Sequence, residues 1–316
     1  MPEKKAAPAV VHKKSLWKKL KPYWILYLMI LPGAAYLIMN NYIPMGGIIL
    51  AFKKYSVKKG IFGSDFVGLT NFSYLFSSKD AAIIIRNTFC YNVAFIIINN
   101  LVGIILALFI CDIRNEKLKK FYQSTILLPF LISIVVVSYI VFAFLSHENG
   151  MFNAILSSMG KEEIMWYASP KYWPFILTFV NCWKGVGYGT LIYIACINGI
   201  DTTYYEAAAL DGATKWQQIK FITLPFLIPS LITLLIMAIG KIFASDFGLF
   251  YQIPQNSGAL FNVTQTIDTY VYRAMIASGG IGRSAAAGML QSVVGFTLVM
   301  LSNWIVRKTS PDNAMF

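Results

Sequence analysis

Six runs of about 20 mostly apolar residues divide this chain, and no other feature limits its fold so tightly. They cover residues 24–42, 87–110, 121–145, 173–197, 226–250 and 285–306. The apolar residues come in blocks, not at the 3.6- or 2-residue spacing of a half-buried helix or strand, so hydrocarbon is the solvent they fit. Composition agrees. Of 316 residues, 57% are hydrophobic and 13% charged, where a soluble domain carries about 25% charge. Backbone in lipid has to satisfy its own hydrogen bonds, which leaves helices or closed barrels. The expected fold is all-α: a multi-pass membrane protein with six transmembrane helices. No soluble domain fits in the long connections, 43–86, 146–172, 198–225 and 251–284.

Lysine and arginine set the expected orientation. Seven lysines fall between Lys4 and Lys21. They account for much of the net charge of +13, and their place beside the first apolar run suits anionic membrane lipid, not nucleic acid. The first run is longer than the apolar core of a signal peptide and is expected to be retained. Arg114, Lys117, Lys119 and Lys120, and then Arg307 and Lys308, fall on the same side as the basic tail. Both termini are therefore expected in the cytoplasm. One connection runs against the rule: 43–86 would be outside yet holds Lys53, Lys54, Lys58, Lys59, Lys79 and Arg86. Its stretch GGIILAFKKYSVKKG has the pattern of an amphipathic helix lying along the membrane surface. The expected organisation is a basic tail (1–22), a transmembrane domain (23–308) and a C-terminal tail (309–316).

Some chemistries are excluded. There are two histidines, His12 and His147, and four cysteines without metal-ligand spacing, so no metal site is expected. Gly279-Gly280-Ile281-Gly282-Arg283-Ser284 lacks the first glycine and the lysine of a phosphate loop. Gly185-Val186-Gly187-Tyr188-Gly189 lies inside an apolar run with no preceding strand, where glycines permit close helix packing or a kink. No nucleotide or other cofactor is expected in this chain. Charged groups within a span are costly and mark a path or a partner. Lys184 sits deep in the fourth run, with Asn181, Trp183 and Tyr188 close by in sequence, and Lys241 and Asp246 lie in the outer half of the fifth. Hydrogen-bonding groups beside aromatic rings suit a sugar. Pairing of the three charges with one another, or with another subunit, is the alternative.

Between the fourth and fifth runs lies YYEAAALDGATKW, residues 204–216. Asp201 can cap a helix starting near Thr202. The alanines keep that helix slim, and Gly212 permits a left-handed turn before a second short helix through Trp216 and Ile219. Pro225 is expected to end the element where the fifth span begins. An ordinary surface helix would read the same way. The spacing is more specific: Glu206-Ala207-Ala208, three residues, Gly212, nine residues, then Ile222-Thr223-Leu224-Pro225. It resembles the EAA coupling motif of ABC importer permeases, with every fixed position filled, and defines an expected coupling loop at 199–225. Asn41-Tyr42-Ile43-Pro44-Met45, Ala51-Phe52-Lys53, Val67-Gly68-Leu69-Thr70-Asn71-Phe72 and the ending Asn303-Trp304-Ile305-Val306-Arg307 with Ser310-Pro311-Asp312-Asn313 are similar to the LplB-type complex-oligosaccharide permeases of the maltose-type carbohydrate-uptake group. The resemblance covers nearly the whole chain.

The resemblance implies a type I ABC importer permease in a bacterial cell membrane. Its partners would be a second permease subunit, two copies of a cytoplasmic ATPase that bind ATP and Mg, and an extracellular solute-binding protein that delivers an oligosaccharide. ATP hydrolysis would belong to the ATPase, so the chain itself is not expected to be an enzyme. Glu206, Ala207, Ala208, Asp211, Gly212, Trp216, Ile222, Leu224 and Pro225 would form the ATPase-coupling element, and transport would proceed by alternating access. A simple sugar or a non-sugar solute is the alternative cargo. A stand-alone ion-coupled carrier is a further alternative, although Asp246 is the only acid deep in a span.

Overall fold

The computed structural model describes residues 21–77, 80–278, 280–311 and 314. The basic tail through Lys19, Lys79, Gly279 and the Asp312-Asn313 pair lie outside the described residues. The chain divides into two units, Met1–Ile49 and Leu50–Phe316. In the first, helix α1 (Trp24–Leu37) has no buried residue and passes into a wide π turn at Ile38–Tyr42.

The second unit is built on helices, long and short: α2 (Ala81–Cys111), α3 (Glu116–Leu131), α4 (Ile134–Leu145), α5 (Trp173–Asn198), α6 (Thr202–Leu210), α7 (Lys215–Ile239), α8 (Phe247–Gln252), α9 (Ile267–Ser278) and α10 (Ile281–Thr309). Among the described residues, four helices are long and apolar enough to cross a bilayer: Trp24–Phe52, α2, α7 and α10. The α3–α4 pair is a fifth if its two halves make one bent span. The other expected span, α5, is not among them; it has 26 residues, about 39 Å of helix at 1.5 Å per residue. Asn181, Lys184 and its glycines lower its apolarity, and it packs on α2, α3 and α7.

Two spans depart from their expected form. The third, expected as one helix over 121–145, bends by 94° between Leu131 and Ile134. Pro129 brings no N–H to the last turn of α3, and Ser133 restarts the chain by accepting from the Val135 N–H. The fifth span runs over Lys215–Ile239, not 226–250. Pro225 does not end an element. It stands in the first turn of the α-helical stretch Leu224–Ile239, directly after a π turn at Ile219–Thr223. A wide turn there leaves room for the ring and for the missing donor.

The 43–86 connection also differs from a single amphipathic helix. It folds as a tight helical stretch (Gly46–Phe52), a two-stranded hairpin of β1 (Lys53–Lys54) and β2 (Asp65–Phe66), and short helices. Lys53 is buried and donates to the Ile61 and Phe62 carbonyls, at 3.2 and 2.6 Å. Lys59 pairs with Asp65 at 2.7 Å, and that ammonium holds the carboxyl below its usual range. Two of the lysines that break the charge rule thus serve the loop's own fold.

Candidate functional site

At one end of the bundle, the quoted stretch forms a small, stiff platform. Asp201 caps α6 by accepting from the Thr203 N–H at 2.9 Å. That bond, and a second from the Thr203 hydroxyl, hold the Asp201 carboxyl below the ordinary carboxylate range. The far end of α6 closes on Gly212 at φ +79°. The Gly212 N–H donates to Ala209 and the Ala213 N–H to Ala208, at 3.1 and 2.9 Å. This is the paired closure that a left-handed glycine permits. Thr214 and Gln217 then form a capping box at the start of α7. The platform is tied to the membrane helices by the Tyr205 and Thr223 hydroxyls at 2.9 Å, by Tyr204 against Phe226 with centroids 5.5 Å apart, and by Lys215 to Asp112 at 2.7 Å.

What α6 presents is equally specific. It has no buried residue. Glu206, Ala207, Asp211, Gly212 and Trp216 are exposed and Ala208 is half-buried. Ile222 and Leu224 are half-buried and Pro225 is exposed. Leu210 is 90% exposed, an apolar side chain held fully open at the end of a capped helix. Sequence reasoning passed over Leu210. Its signal was an isolated leucine just before the Asp-Gly turn. The two ends of the platform are covalent extensions of spans: α5 reaches α6 through only Gly199–Asp201, and α7 continues without a break into the fifth span.

The second group lies within the spans. Asn181, Lys184 and Tyr188 sit at i, i+3 and i+7 on one stripe of α5. Lys184 Nζ donates to the carbonyls of Ile132 (2.6 Å), Phe130 (3.1 Å) and Pro129 (3.4 Å). These carbonyls lie at the break in the third span, where Pro129 O also accepts from the Ile132 N–H at 3.3 Å. Asn181 Oδ1 accepts from Asn99 Nδ2 on α2 at 2.9 Å, and the Asn100 carboxamide accepts from Tyr193. The Tyr188 ring stacks on Phe130, with centroids 5.4 Å apart, and is 56% exposed. Trp183 is 37% exposed on another face of α5.

Lys241 and Asp246 do not lie in a helical span. Both fall in the turns that follow Ile239, where Lys241 is exposed and Asp246 caps α8 by accepting from Leu249 N at 3.1 Å. Among the described residues, no ion pair links Lys184, Lys241 and Asp246. A polar cluster that the sequence did not reveal holds these turns. Asn92 on α2 donates to the Ile242 and Ala244 carbonyls. Gln291 on α10 donates to Phe243 O at 2.7 Å. Asp268 accepts from the Ser245 N–H and hydroxyl, each at 2.7 Å. The two irregular stretches adjoin, because α8 packs on α4 so closely that a Cβ on Gly248 would stand 2.7 Å from the Ile134 side chain.

Long apolar helices, one expected span bent sharply between α3 and α4, and a capped alanine-rich platform joining α5 to α7 define a polytopic transport subunit. The chain belongs to the family of binding-protein-dependent transport system inner membrane components, whose pattern it matches over residues 99–311. It is 34% identical over 307 residues to the polygalacturonan/rhamnogalacturonan transport system permease protein YteP of Bacillus subtilis, a match covering 96% of this chain and 95% of that one. It is 31% identical to protein LplB of the same organism, over 98% of this chain and 97% of the other. Among solved structures it resembles a subunit of a bacterial alginate ABC transporter in complex with alginate pentasaccharide-bound periplasmic protein. That match has a TM-score of 0.84 at 31% identity, covering 94% of this chain and 99% of the other. The type I permease fold expected from the coupling motif is the fold observed.

Proposed function

We propose that this chain is one of two different permease subunits in an ATP-driven importer that takes up oligosaccharides handed over by an extracellular binding protein. The observation that carries this reading is the α6 platform. It is capped at both ends, open on its surface, and continuous with two spans, so a force applied to it reaches the membrane directly. Glu206 and Asp211 offer charge to an ATPase subunit, Leu210 and Trp216 offer apolar surface, and Ala207 and Ala208 allow close approach. ATP and Mg would be held by two ATPase copies. Closure of that pair moves the platform and alternates the access of the cavity. The platform end, with Lys117, Lys119 and Lys120, is assigned to the cytoplasm, together with both termini.

The named cargoes of the similar proteins, polygalacturonan, rhamnogalacturonan and alginate, support an oligosaccharide, and acidic chains are the first to test. Trp183, Tyr188, Lys241, Asn181 and Asp246 remain the residues assigned to the sugar path. The exposed ring of Tyr188 supplies a stacking face. Lys184 lines the same stripe of α5 with its ammonium engaged on backbone.

The test is co-purification from native membranes in mild detergent. The wild-type chain is expected to bring down a second permease and an ATPase, and Glu206→Arg to keep the permease and lose the ATPase. A homo-oligomer without ATPase, or an undiminished ATPase yield with Glu206→Arg, would overturn the assignment.

A further inference from the structure

The apolar pair α3–α4 bends by 94° between Leu131 and Ile134, and the end of α3 is held by a neighbour. The last carbonyls of a helix carry partial negative charge and have no partners of their own. In hydrocarbon they have no water to turn to. Lys184 stands in mid-α5, eleven residues after Trp173. An ammonium has three N–H donors, and three carbonyls, Pro129, Phe130 and Ile132, lie within its reach. Two further contacts join the same pair of helices. Gly187 lies so close to Ile126 that an added Cβ would overlap its carbonyl. Tyr188 stacks on Phe130. Past these contacts α5 runs on to Asn198, and after the three residues Gly199–Asp201 α6 begins.

We infer that Lys184 is a positioning residue that clamps the broken end of α3 onto α5, so that both helices move as one arm with the coupling platform. The lysine completes a helix end and does not grip the sugar. This rests on the reading of α6 as the ATPase-docking element, but its test separates the two. If α6 docks nothing, the distances below stay fixed because nothing moves at all, and nucleotide changes no distance anywhere in the complex.

The experiment uses the whole importer, reconstituted with its binding protein, with this chain freed of its four native cysteines. Spin labels at Ser124 on α3 and Ala195 on α5, both exposed positions, report the arm. A label pair from Ala195 to the second permease reports the overall motion. The clamp predicts that the 124–195 distance stays constant between nucleotide-free and ATP-trapped states while the inter-subunit distance changes. Lys184→Met, which removes the donor shared by the Phe130 and Ile132 carbonyls, is expected to broaden the 124–195 distribution. It should also lower uptake at saturating sugar about tenfold or more with an unchanged KM. Lys184→Arg keeps a cation at the break and is expected to retain most of the uptake. The inference is overturned if the wild-type 124–195 distance shifts with nucleotide along with the inter-subunit one. It is overturned equally if Lys184→Met raises KM with uptake at saturation intact, the mark of a sugar ligand, or transports as wild type. Should Lys184→Met fail to assemble, the wild-type distances and Lys184→Arg still decide.

Discussion

Gly187 sets how near α3 and α5 can come. It faces the Ile126 backbone, whereas Gly185 and Gly189 face open space. Any side chain at 187 has to push two helices apart, and overpacking of this kind costs about 1–3 kcal/mol. Gly187→Ala is therefore expected to lower the melting temperature of the detergent-purified complex, with Gly185→Ala and Gly189→Ala close to wild type. Equal losses at all three positions would show that the contact is not the cause. The sequence showed three glycines in a span and allowed close packing or a kink. Which glycine makes the contact depends on helix phase, and that required the neighbouring helix. The same limit hid the partners of Lys184. Sequence reasoning looks for an acid to pair with a buried lysine, and here the partners are carbonyls that every residue carries. Asp201 was legible because a cap acts on its own next turn.

At the scale of the element, the platform's second short helix, Lys215–Gln218, and the fifth span form one helix, and the joint between them is the π turn at Ile219–Thr223. A π turn is an α-helix carrying one extra residue, absorbed locally so that the flanks keep their facing. Removing one residue from it, Lys220 for instance, is expected to leave measurable uptake, because it restores regular helix without rotating the platform. Removing Ile232 from the regular part of α7 rotates everything on one side by about 100° and is expected to abolish uptake. Equal loss in both deletions would deny the turn this role. The placing of the fifth span over 226–250 came from reading Pro225 as a stop and Ala244–Phe250 as membrane helix. Proline at the opening turn of a helix is compatible with its continuing, and Asp246 starts a new helix instead of extending the old one. Likewise GGIILAFKKYSVKKG had the composition of an amphipathic helix, but its Lys53 is drawn inward by two carbonyls of the same loop. Local pattern does not foresee a side chain that crosses a hairpin.

For the whole molecule, the approximate places of four apolar spans, and of the bent pair that can make a fifth, were legible because hydrocarbon thickness fixes the length of such runs. The breaks were not, because a broken span keeps the apolar content of an intact one. Orientation rests on the lysine and arginine count, and it makes a direct prediction. A cysteine at Lys120 should react with an impermeant thiol reagent only after the membrane is opened, and one at Lys171 should react in intact cells. The reverse pattern would invert the molecule, placing α6 outside and away from any ATP. Much of the remaining helix surface is apolar and open, including Phe109 at 71% and Phe175 at 78% exposed, as suits a subunit bounded by lipid.

The break in the third span and the turns that follow the fifth have one more consequence. Their carbonyls are met by Lys184, Asn92 and Gln291, which stand 52, 150 and 48 residues away in sequence. Bonds between such distant positions close only once the helices carrying them have packed, so these irregular stretches are fixed late as the chain folds.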